Sequence, residues 1–320
     1  MGLKVLSLFD GIGCARLALD KLNIPIESYF ASEIDKYAIK IATNNYSDII
    51  EIGDIRNISY KNGTLTTDNG IFNVDEFDLV CGGSPCQSFT FAGKRQGMST
   101  SSEYKIVTLD DYLKYKNENI EFLGQSYLFW EYMRLLNEIK PKYFFLENVK
   151  MEKEWRDIIS FNLNTLPIEI NSNCFSAQNR QRLYWTNIKR NILKRLKPNE
   201  TVLRNIVSDE FDIDKYSLSK EHYNAFLKSY NWKSDSLNNK SKPLLASYFK
   251  QPPHCPYIPS NISDSGFRRL SPIECERLQT LPDNYTKGIS DSQRYKCIGN
   301  GWTVDVIVYL FSGLCNCLLV

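Results

Sequence analysis

Histidine, closely spaced cysteine pairs and long apolar runs are scarce or missing in this sequence. Only two of its 320 residues are histidines, His222 and His254, and none of its nine cysteines forms a C-x-x-C pair. Zinc sites need such clustered ligands, so the sequence predicts no metal site. Two histidines in polar, irregular surroundings also leave little scope for a Ser-His or Cys-His couple. Reduced thiols in a cytosolic protein fit this cysteine usage best.

No apolar run approaches the length that spans a bilayer, and the first residues form a short apolar run rather than a basic leader with a cleavage site. We therefore expect a cytoplasmic protein without membrane attachment. The net charge is only +2, but residues 186–267 carry 13 Lys and Arg against 8 Asp and Glu. This local excess suits contact with a polyanion, and a solvated basic face is the simpler alternative.

The first half of the chain alternates short apolar runs with helical patterns. LKVLSLF is followed by a glycine-containing turn, a helical ARLALDKL, a second strand SYFASE and a helical KYAIKIATNN. FDLVCGG, YLFWEYMRLLNEI, KYFFLENV and the pair IEINSNCFSA and RLYWTNI continue this pattern, which is typical of a parallel sheet with crossover helices. It predicts an α/β fold with a Rossmann-like, doubly wound sheet.

The pattern changes after residue 188. A polar region rich in Asn, Ser and Lys follows, with prolines and tyrosines between residues 251 and 259, and it predicts a small loop-rich module. Helical periodicity returns from residue 268, and VDVIVYLFSGLCNCLLV predicts an apolar helix that packs back on the sheet. We therefore predict one domain of residues 1–188 plus 268–320 and a second of residues 189–267.

The segment FDGIGCA lies between the first strand and the first helix. Gly11 and Gly13 would let the backbone approach a ligand, and Glu33, at the end of the next strand, is placed to accept hydrogen bonds from ribose hydroxyls. Arg16 replaces the third glycine of a dinucleotide fingerprint, which favours a nucleoside without pyrophosphate, such as S-adenosylmethionine. Asp54, after the third strand, could take the adenine amino group. Plain turn chemistry is the alternative.

Two further strand ends carry reactive groups. In GGSPCQSFT, Pro85 fixes the backbone before Cys86, so the thiol is a candidate nucleophile, although an inert half-buried cysteine is the alternative. KYFFLENV ends on Glu147, whose carboxyl would be poorly solvated and suited to donating a proton or a hydrogen bond, unless it merely caps a helix.

Three long polar side chains alternate in SAQNRQRLYW and are expected to share one face of a strand: Gln178, Arg180 and Arg182. Arginines near a carboxyl and a thiol could hold the carbonyl oxygen of a base, contact phosphate and favour the thiolate. Surface salt bridges are the alternative for each residue taken singly.

Taken in order, FDGIGC, GGSPCQ, LENV, QNRQR, RRLSPIECERLQTLP and IGNGWTVDVI resemble the motif set of DNA cytosine-5 methyltransferases. The resemblance covers most of residues 3–188 and 268–311. The segments ENVKMEKEWRDIISF and NGWTVDVIVYLF also resemble the de novo subgroup and phage relatives.

The resemblance implies S-adenosylmethionine as cofactor, surrounded by Phe9, Asp10, Gly11, Gly13, Glu33, Ile34, Asp54, Ile55, Pro85, Leu128, Asn300 and Gly301. It implies Cys86 as nucleophile, Glu147 as its acid partner, and Arg180 with Arg182 as the pair that orients the base. Expected DNA contacts are Gln87, Ser88, Lys94, Arg95 and Gln178. Arg268, Glu274 and Gln279 match a motif that organises the recognition module, which is expected at residues 189–267.

The implied chemistry needs no histidine or metal. A thiolate that adds to carbon 6 of cytosine makes carbon 5 nucleophilic, provided that ring nitrogen 3 is protonated or hydrogen-bonded. The base must first be flipped out of the duplex, and the segment after Pro85 is the expected lid. The expected partner is double-stranded DNA, bound by a monomer, with any cognate restriction endonuclease acting separately. A tRNA substrate and a non-catalytic DNA-binding relative are the alternatives.

Three features depart from the family pattern. Cys14 and Trp302 stand near the expected cofactor site, where relatives usually carry glycine and a small aliphatic residue. A polar insertion spans about residues 99–124. Its simplest interpretation is a solvated insertion, and a DNA contact or a longer lid is the alternative.

Overall fold

A computed structural model describes residues 2–85, 98–102, 104–189, 196–208, 214–229 and 232–315. Its centre is a seven-stranded sheet in the order β3-β2-β1-β7-β8-β10-β9. These strands are β1 (Leu3–Leu8), β2 (Ile26–Ser32), β3 (Ile49–Glu51), β7 (Leu79–Gly82), β8 (Tyr143–Val149), β9 (Ile168–Asn171) and β10 (Gln181–Thr186). Between β3 and β7 the chain forms a separate antiparallel meander of β4 (Ser59–Lys61), β5 (Thr64–Thr67) and β6 (Gly70–Asn73).

Helices cover both faces of the sheet. In chain order, the helices of the described residues are α1 (Cys14–Lys21), α2 (Lys36–Asn45), α3 (Leu109–Asn117), α4 (Phe129–Ile139), α5 (Lys153–Asn162), α6 (Lys220–Ser229), α7 (Pro272–Leu278), α8 (Asp291–Asn300) and α9 (Val304–Cys315), of which α6 belongs to the small module. Alternate residues of β1 enter different cores: Val5 packs with α1 and α9, whereas Leu6 packs with α4 and α5. Because successive strand residues point to opposite faces, the two cores lie on opposite sides of the sheet. The predicted doubly wound α/β fold is confirmed.

The last strand pair differs from the expected all-parallel pattern. β10 runs antiparallel to both β8 and β9. Only residues 172–180 connect β9 to β10, which is too short for the crossover helix that a parallel pair requires. The strand also begins at Gln181, so Gln178 and Arg180 precede it, and the prediction that they share a strand face with Arg182 is wrong.

The insertion is a packed part of the domain, which corrects the expectation of a solvated segment. Ile106 and Tyr112 are buried, and α3 begins with a capping box in which Thr108 and Asp111 bond each other's backbone amides. The fully buried Glu131 of α4 accepts hydrogen bonds from the Tyr112 hydroxyl at 2.5 Å and from the Lys116 ammonium. A buried carboxylate is stable only with such partners, so this network ties the insertion to α4.

A third apolar core belongs to the small module, whose described part contains α6 and the two-stranded sheet β11 (Tyr257–Pro259) with β12 (Phe267–Arg269). This core continues beyond residue 267 into α7 and α8, through Cys275, Leu278 and Tyr295. The division at residues 189–267 stays a prediction, but the module is packed against the helices that follow it.

A buried ion pair joins β12 to α7. The guanidinium of Arg268 donates two hydrogen bonds of 2.8 Å to the carboxylate of Glu274, and the two side chains are 4% and 0% exposed. Glu274 also accepts from the backbone amides of Ser271 at 2.7 Å and Ser208 at 3.2 Å. The Glu274 carboxylate thus joins three segments: the start of α7, strand β12 and the part of the small module around Ser208.

Removing the guanidinium should strongly destabilise the protein. Arg268→Met leaves the Glu274 carboxylate buried without its counter-charge, and we expect a loss of about 3–5 kcal/mol in the free energy of unfolding by urea. Lys150→Met removes a cation from the exposed pair with Glu169, whose side chains are 55% and 45% exposed, and should cost less than about 1 kcal/mol. Equal losses in the two variants would contradict this interpretation.

Among the described residues no single helix is long and apolar enough to cross a bilayer, and only the bent pair α8 and α9, with 42° between them, meets such a criterion by length and composition.

Candidate active site

The predicted site residues meet at the carboxyl ends of β1, β2, β3, β7 and β8. They line one cleft of about 360 Å³, where open parallel sheets bind their ligands. The lining includes Phe9, Asp10, Gly11, Glu33, Ile34, Asp54, Ile55, Pro85, Leu128, Glu147, Arg180, Arg182, Asn300 and Gly301. Gly13 does not line the cleft and serves as the N-cap of α1.

The turn after β1 is held in unusual backbone conformations. Gly11 and Gly13 have φ of 63° and 76°, in the left-handed region that glycine adopts without strain. Phe9 has φ of 57°, which costs a non-glycine residue about 1 kcal/mol or more. Such local strain is common in ligand sites, and here it turns the chain across the floor of the cleft.

Glu33 is oriented by backbone amides. Its Oε1 accepts from the amides of Ile34 and Asp35 at 2.7 and 2.9 Å, and its Oε2 accepts from the amide of Gly11 at 2.9 Å. A carboxylate offers about four lone-pair positions, so about one stays available to a ligand hydroxyl. The neighbouring Ile34 is a large apolar side chain, 65% exposed, on which a flat ring could lie. The residues therefore fit a nucleoside.

Asp54 is already engaged by a cation. The Nε of Arg56 lies 3.0 Å from both carboxylate oxygens, and this side-chain bond lowers the pKa of Asp54. Arg56 is half exposed, so a ligand amino group could displace it at small cost. Arg56 also lines the cleft, but no sequence motif identified it as a site residue. Its side chain is brought to the cleft by the short helical turn of Ile55–Asn57.

Asp10 lines the cleft, but its carboxyl is bonded to a residue of the core. Its Oδ1 accepts the Tyr29 hydroxyl at 2.6 Å, and the side chain is buried. Burial raises the pKa of this carboxyl from 3.8 to about 6, although the hydrogen bond from Tyr29 opposes the shift. The sequence placed Asp10 among the cofactor residues, and the structure places it on the cleft lining with its carboxyl bonded to Tyr29.

The raised pKa of Asp10 predicts a pH-dependent stability. A carboxyl whose pKa is higher in the folded than in the unfolded state contributes stability below about pH 4 that is lost as the pH rises through about 6. The amide introduced by Asp10→Asn keeps an acceptor for Tyr29 but cannot ionise. The free energy of unfolding by urea should be measured for Asp10→Asn and for the parent. Between about pH 4.5 and about pH 8, the value for the variant should rise by about 2 kcal/mol relative to the value for the parent. A difference that does not change with pH would contradict the assignment.

Glu147 is held at both oxygens. Oε1 lies 3.0 Å from the Nε of Arg182, and Oε2 accepts the indole N–H of Trp302 at 3.1 Å. The next residue, Asn148, is buried and donates to the carbonyl and hydroxyl of Ser84 at 3.2 and 3.1 Å. The end of β8 is thereby tied to the segment that carries Pro85.

Arg180 and Gln178 turn inward, which corrects their predicted places. The guanidinium of Arg180 donates to the carbonyls of Leu244, Gly299 and Gly301 at 2.7, 3.0 and 3.1 Å. Gln178 is fully buried, bonding the amide of Leu244 and the carbonyl of Leu278. Both side chains bridge the sheet domain to the small module, so Gln178 has no face free for DNA in this arrangement.

The described thiols are poorly suited to act as nucleophiles. Burial raises the pKa of six of the seven described cysteines. The pKa reaches about 12 for Cys14, Cys81, Cys255 and Cys297, and it is also raised for Cys174 and Cys275. Cys86, with the predicted DNA contacts Gln87, Ser88, Lys94 and Arg95, lies outside the described residues.

The sheet order, the cleft and the carboxyl–guanidinium pair beside it define an α/β protein with the fold of S-adenosylmethionine-dependent methyltransferases. The protein-family model of the C-5 cytosine-specific DNA methylases matches residues 3–316 of this sequence. The chain belongs to that family, which confirms the predicted enzyme class, a DNA cytosine-5 methyltransferase.

Similar proteins agree with this assignment. The type II methyltransferase M1.ScrFI of Lactococcus lactis subsp. cremoris is 30% identical over 95% of this chain and 76% of its own length. The orphan methyltransferase M.SPBetaI of Bacillus phage SPbeta is 27% identical over 98% and 97%. In fold, the chain resembles the Dnmt2 methyltransferase of S. pombe, with a TM-score of 0.67, 17% identity and 99% of each chain covered. The Entamoeba histolytica methyltransferase EhMeth has a TM-score of 0.70, 18% identity and the same coverage.

Proposed function

We propose that the protein methylates carbon 5 of cytosine within a specific sequence of double-stranded DNA, acting as a monomer through a flipped base and a covalent bond to Cys86. Any cognate restriction endonuclease would be a separate protein. The observation that carries the proposal is the link between Asn148 and Ser84. It holds the carboxyl of Glu147 next to the segment that leads through Pro85 to Cys86.

The cleft residues fit the cofactor. Glu33 would bind a ribose hydroxyl, Ile34 would cover one face of the adenine, and Asp54 would receive its amino group when Arg56 moves aside. Bound there, S-adenosylmethionine would supply an electrophilic methyl group to carbon 5 of the base. Gly83 lines the same cleft, and Glu147 Oε2 lies only 3.2 Å from where a Cβ on Gly83 would stand, so the acid adjoins the cofactor site.

The chain's own residues would activate the cytosine. The Cys86 thiolate adds to carbon 6 and the ring electrons move toward carbon 5, while nitrogen 3 takes a proton held between the ring and the Glu147 carboxyl. That carboxyl can also accept from the exocyclic amino group, which distinguishes cytosine from thymine. Loss of the carbon-5 proton and release of the thiol then restore the aromatic ring.

Arg182 would serve the same step from the other side of Glu147. Its guanidinium fixes one carboxyl oxygen and, at 16% exposed, still reaches the cleft. Arg180 would act indirectly, by holding the Gly299 and Gly301 carbonyls in place. The positive charge of residues 186–267 would favour DNA phosphates.

Methyl-labelled S-adenosylmethionine tests the substrate. The protein is incubated with the labelled cofactor and either plasmid DNA or total tRNA, and bisulfite sequencing of the DNA then locates the modified cytosines. We expect label in DNA at one recurring sequence. Label that enters only tRNA would reject the proposed substrate, and label in neither would reject the proposed activity.

A further inference from the structure

We propose that Trp302 is a positioning residue for methyl transfer, which sets the orientation of the Glu147 carboxyl through its indole N–H. The inference rests on the proposed function of Glu147. Arg182 and Trp302 each bind a different oxygen of this carboxyl, at 3.0 and 3.1 Å. An ion pair at one oxygen and a hydrogen bond at the other hold the carboxyl from two sides, and the loss of either contact would leave it freer to rotate.

The indole ring of Trp302 packs against β8, the strand that also carries Glu147. Phe145 and Glu147 are two residues apart on β8, so their side chains lie on one face of the sheet. The Trp302 ring packs edge-on against Phe145 with centroids 5.5 Å apart, and Phe145 in turn contacts Phe311 of α9 at 5.0 Å. The ring therefore rests on the core while its N–H reaches the carboxyl.

The backbone around Trp302 is fixed from several directions. Its carbonyl lies 3.9 Å from the Cys14 thiol, so the two residues that depart from the family pattern are in contact. The preceding carbonyl, of Gly301, accepts from Arg180 and from Gln279 at 3.1 and 3.0 Å. Thr303 donates to the side-chain oxygen of Gln279 at 2.7 Å.

Gly83 leaves the room that this contact needs. A Cβ at residue 83 would lie 3.0 Å from the indole nitrogen and 3.2 Å from Glu147 Oε2, closer than most side chains tolerate. A side chain at residue 83 would therefore press on both groups and push them apart. Because Gly83 stands two residues before Pro85, the same site joins the nucleophile's segment, the acid and the indole.

The test compares Trp302→Phe with a matched tryptophan. Trp185→Phe also removes an indole N–H hydrogen bond, the 3.0 Å bond to Ser160, but from a buried site on β10. In single-turnover methyl transfer to DNA we expect Trp302→Phe to be about 10- to 100-fold slower, because a misplaced catalytic group loses rate steeply. Its Kd for S-adenosylhomocysteine, measured by calorimetry, should stay within about 3-fold of the parent, and Trp185→Phe should keep the parent rate.

A second variant keeps the indole. Gly83→Ala should slow methyl transfer in the same way, since its methyl group separates the indole from the carboxyl. Parent-like rates in both Trp302→Phe and Gly83→Ala would overturn the positioning role while leaving the proposed function in place. Loss of cofactor affinity in proportion to the rate would also overturn it, because Trp302 would then act on the cofactor. A parent that methylates no DNA would remove both proposals.

Discussion

Cys86→Ala is expected to abolish methyl transfer to DNA, by on the order of 10⁴-fold or more, while DNA binding stays within a few-fold of the parent. Without the sulfur no bond forms to carbon 6, and carbon 5 of an aromatic cytosine is too weak a nucleophile to take the methyl group. Of the described cysteines only Cys14 and Cys297 line the cleft, and burial raises the pKa of each of these thiols to about 12.

Cys174→Ala is the matched control for this variant. The Cys174 thiol is half-buried and lies 3.5 Å from the side-chain oxygen of Asn173, outside the cleft. The Cys174→Ala variant should methylate DNA at the parent rate. The measurement is label incorporation in a single turnover, together with a DNA-binding titration of each variant. Retained activity in Cys86→Ala would remove Cys86 from the mechanism.

Glu147→Gln is expected to lower the rate of methyl transfer by about 10²- to 10⁴-fold, the range typical of a lost general acid. The amide keeps the shape of the side chain but carries no exchangeable acid proton. It also turns an NH₂ group toward either the guanidinium of Arg182 or the indole N–H of Trp302, which now lie against the two carboxylate oxygens. One of those donors therefore loses its acceptor.

Glu169→Gln on strand β9, which β10 separates from β8, is the control for Glu147→Gln. Glu169 is exposed and pairs with Lys150 at 2.9 Å, away from the cleft. Its variant should retain the parent rate and the parent affinity for DNA. A rate for Glu147→Gln within a few-fold of the parent would contradict the acid role, as would a loss that disappears at saturating DNA.

The sequence alone predicts those structural features that depend on residues close together in the chain. The alternation of apolar strands and helices indicated the doubly wound α/β fold, and the polar residues that end β1, β2, β3 and β8 were found because parallel strands bring their carboxyl ends together. Glu33 and Glu147 were identified in this way. The capping box of Thr108 and Asp111 could also have been found, because the spacing in TLDD is a signal for the start of a helix.

Contacts between distant residues could not be predicted in this way. Arg180 was assigned to the base because it was expected to share a strand face with Arg182 and because the family resemblance implies this role, but it turns inward to carbonyls that lie 64 to 121 residues away. Trp302 was noticed only as an unusual residue, and its partner Glu147 is 155 residues distant. Such side chains are placed by the packing of the small module and of α8 against the sheet, which no local pattern encodes.

Covalent trapping tests the central proposal most directly. A DNA duplex carrying 5-fluorocytosine at the modified position, as located by bisulfite sequencing, is incubated with the protein and S-adenosylmethionine, and the products are separated under denaturing conditions. Fluorine cannot leave carbon 5 as a proton does, so the thiol cannot be eliminated. We expect a stable protein–DNA adduct whose mass spectrum assigns the bond to Cys86. Methylated product from ordinary cytosine, without any adduct from the fluorinated duplex, would contradict the proposed mechanism.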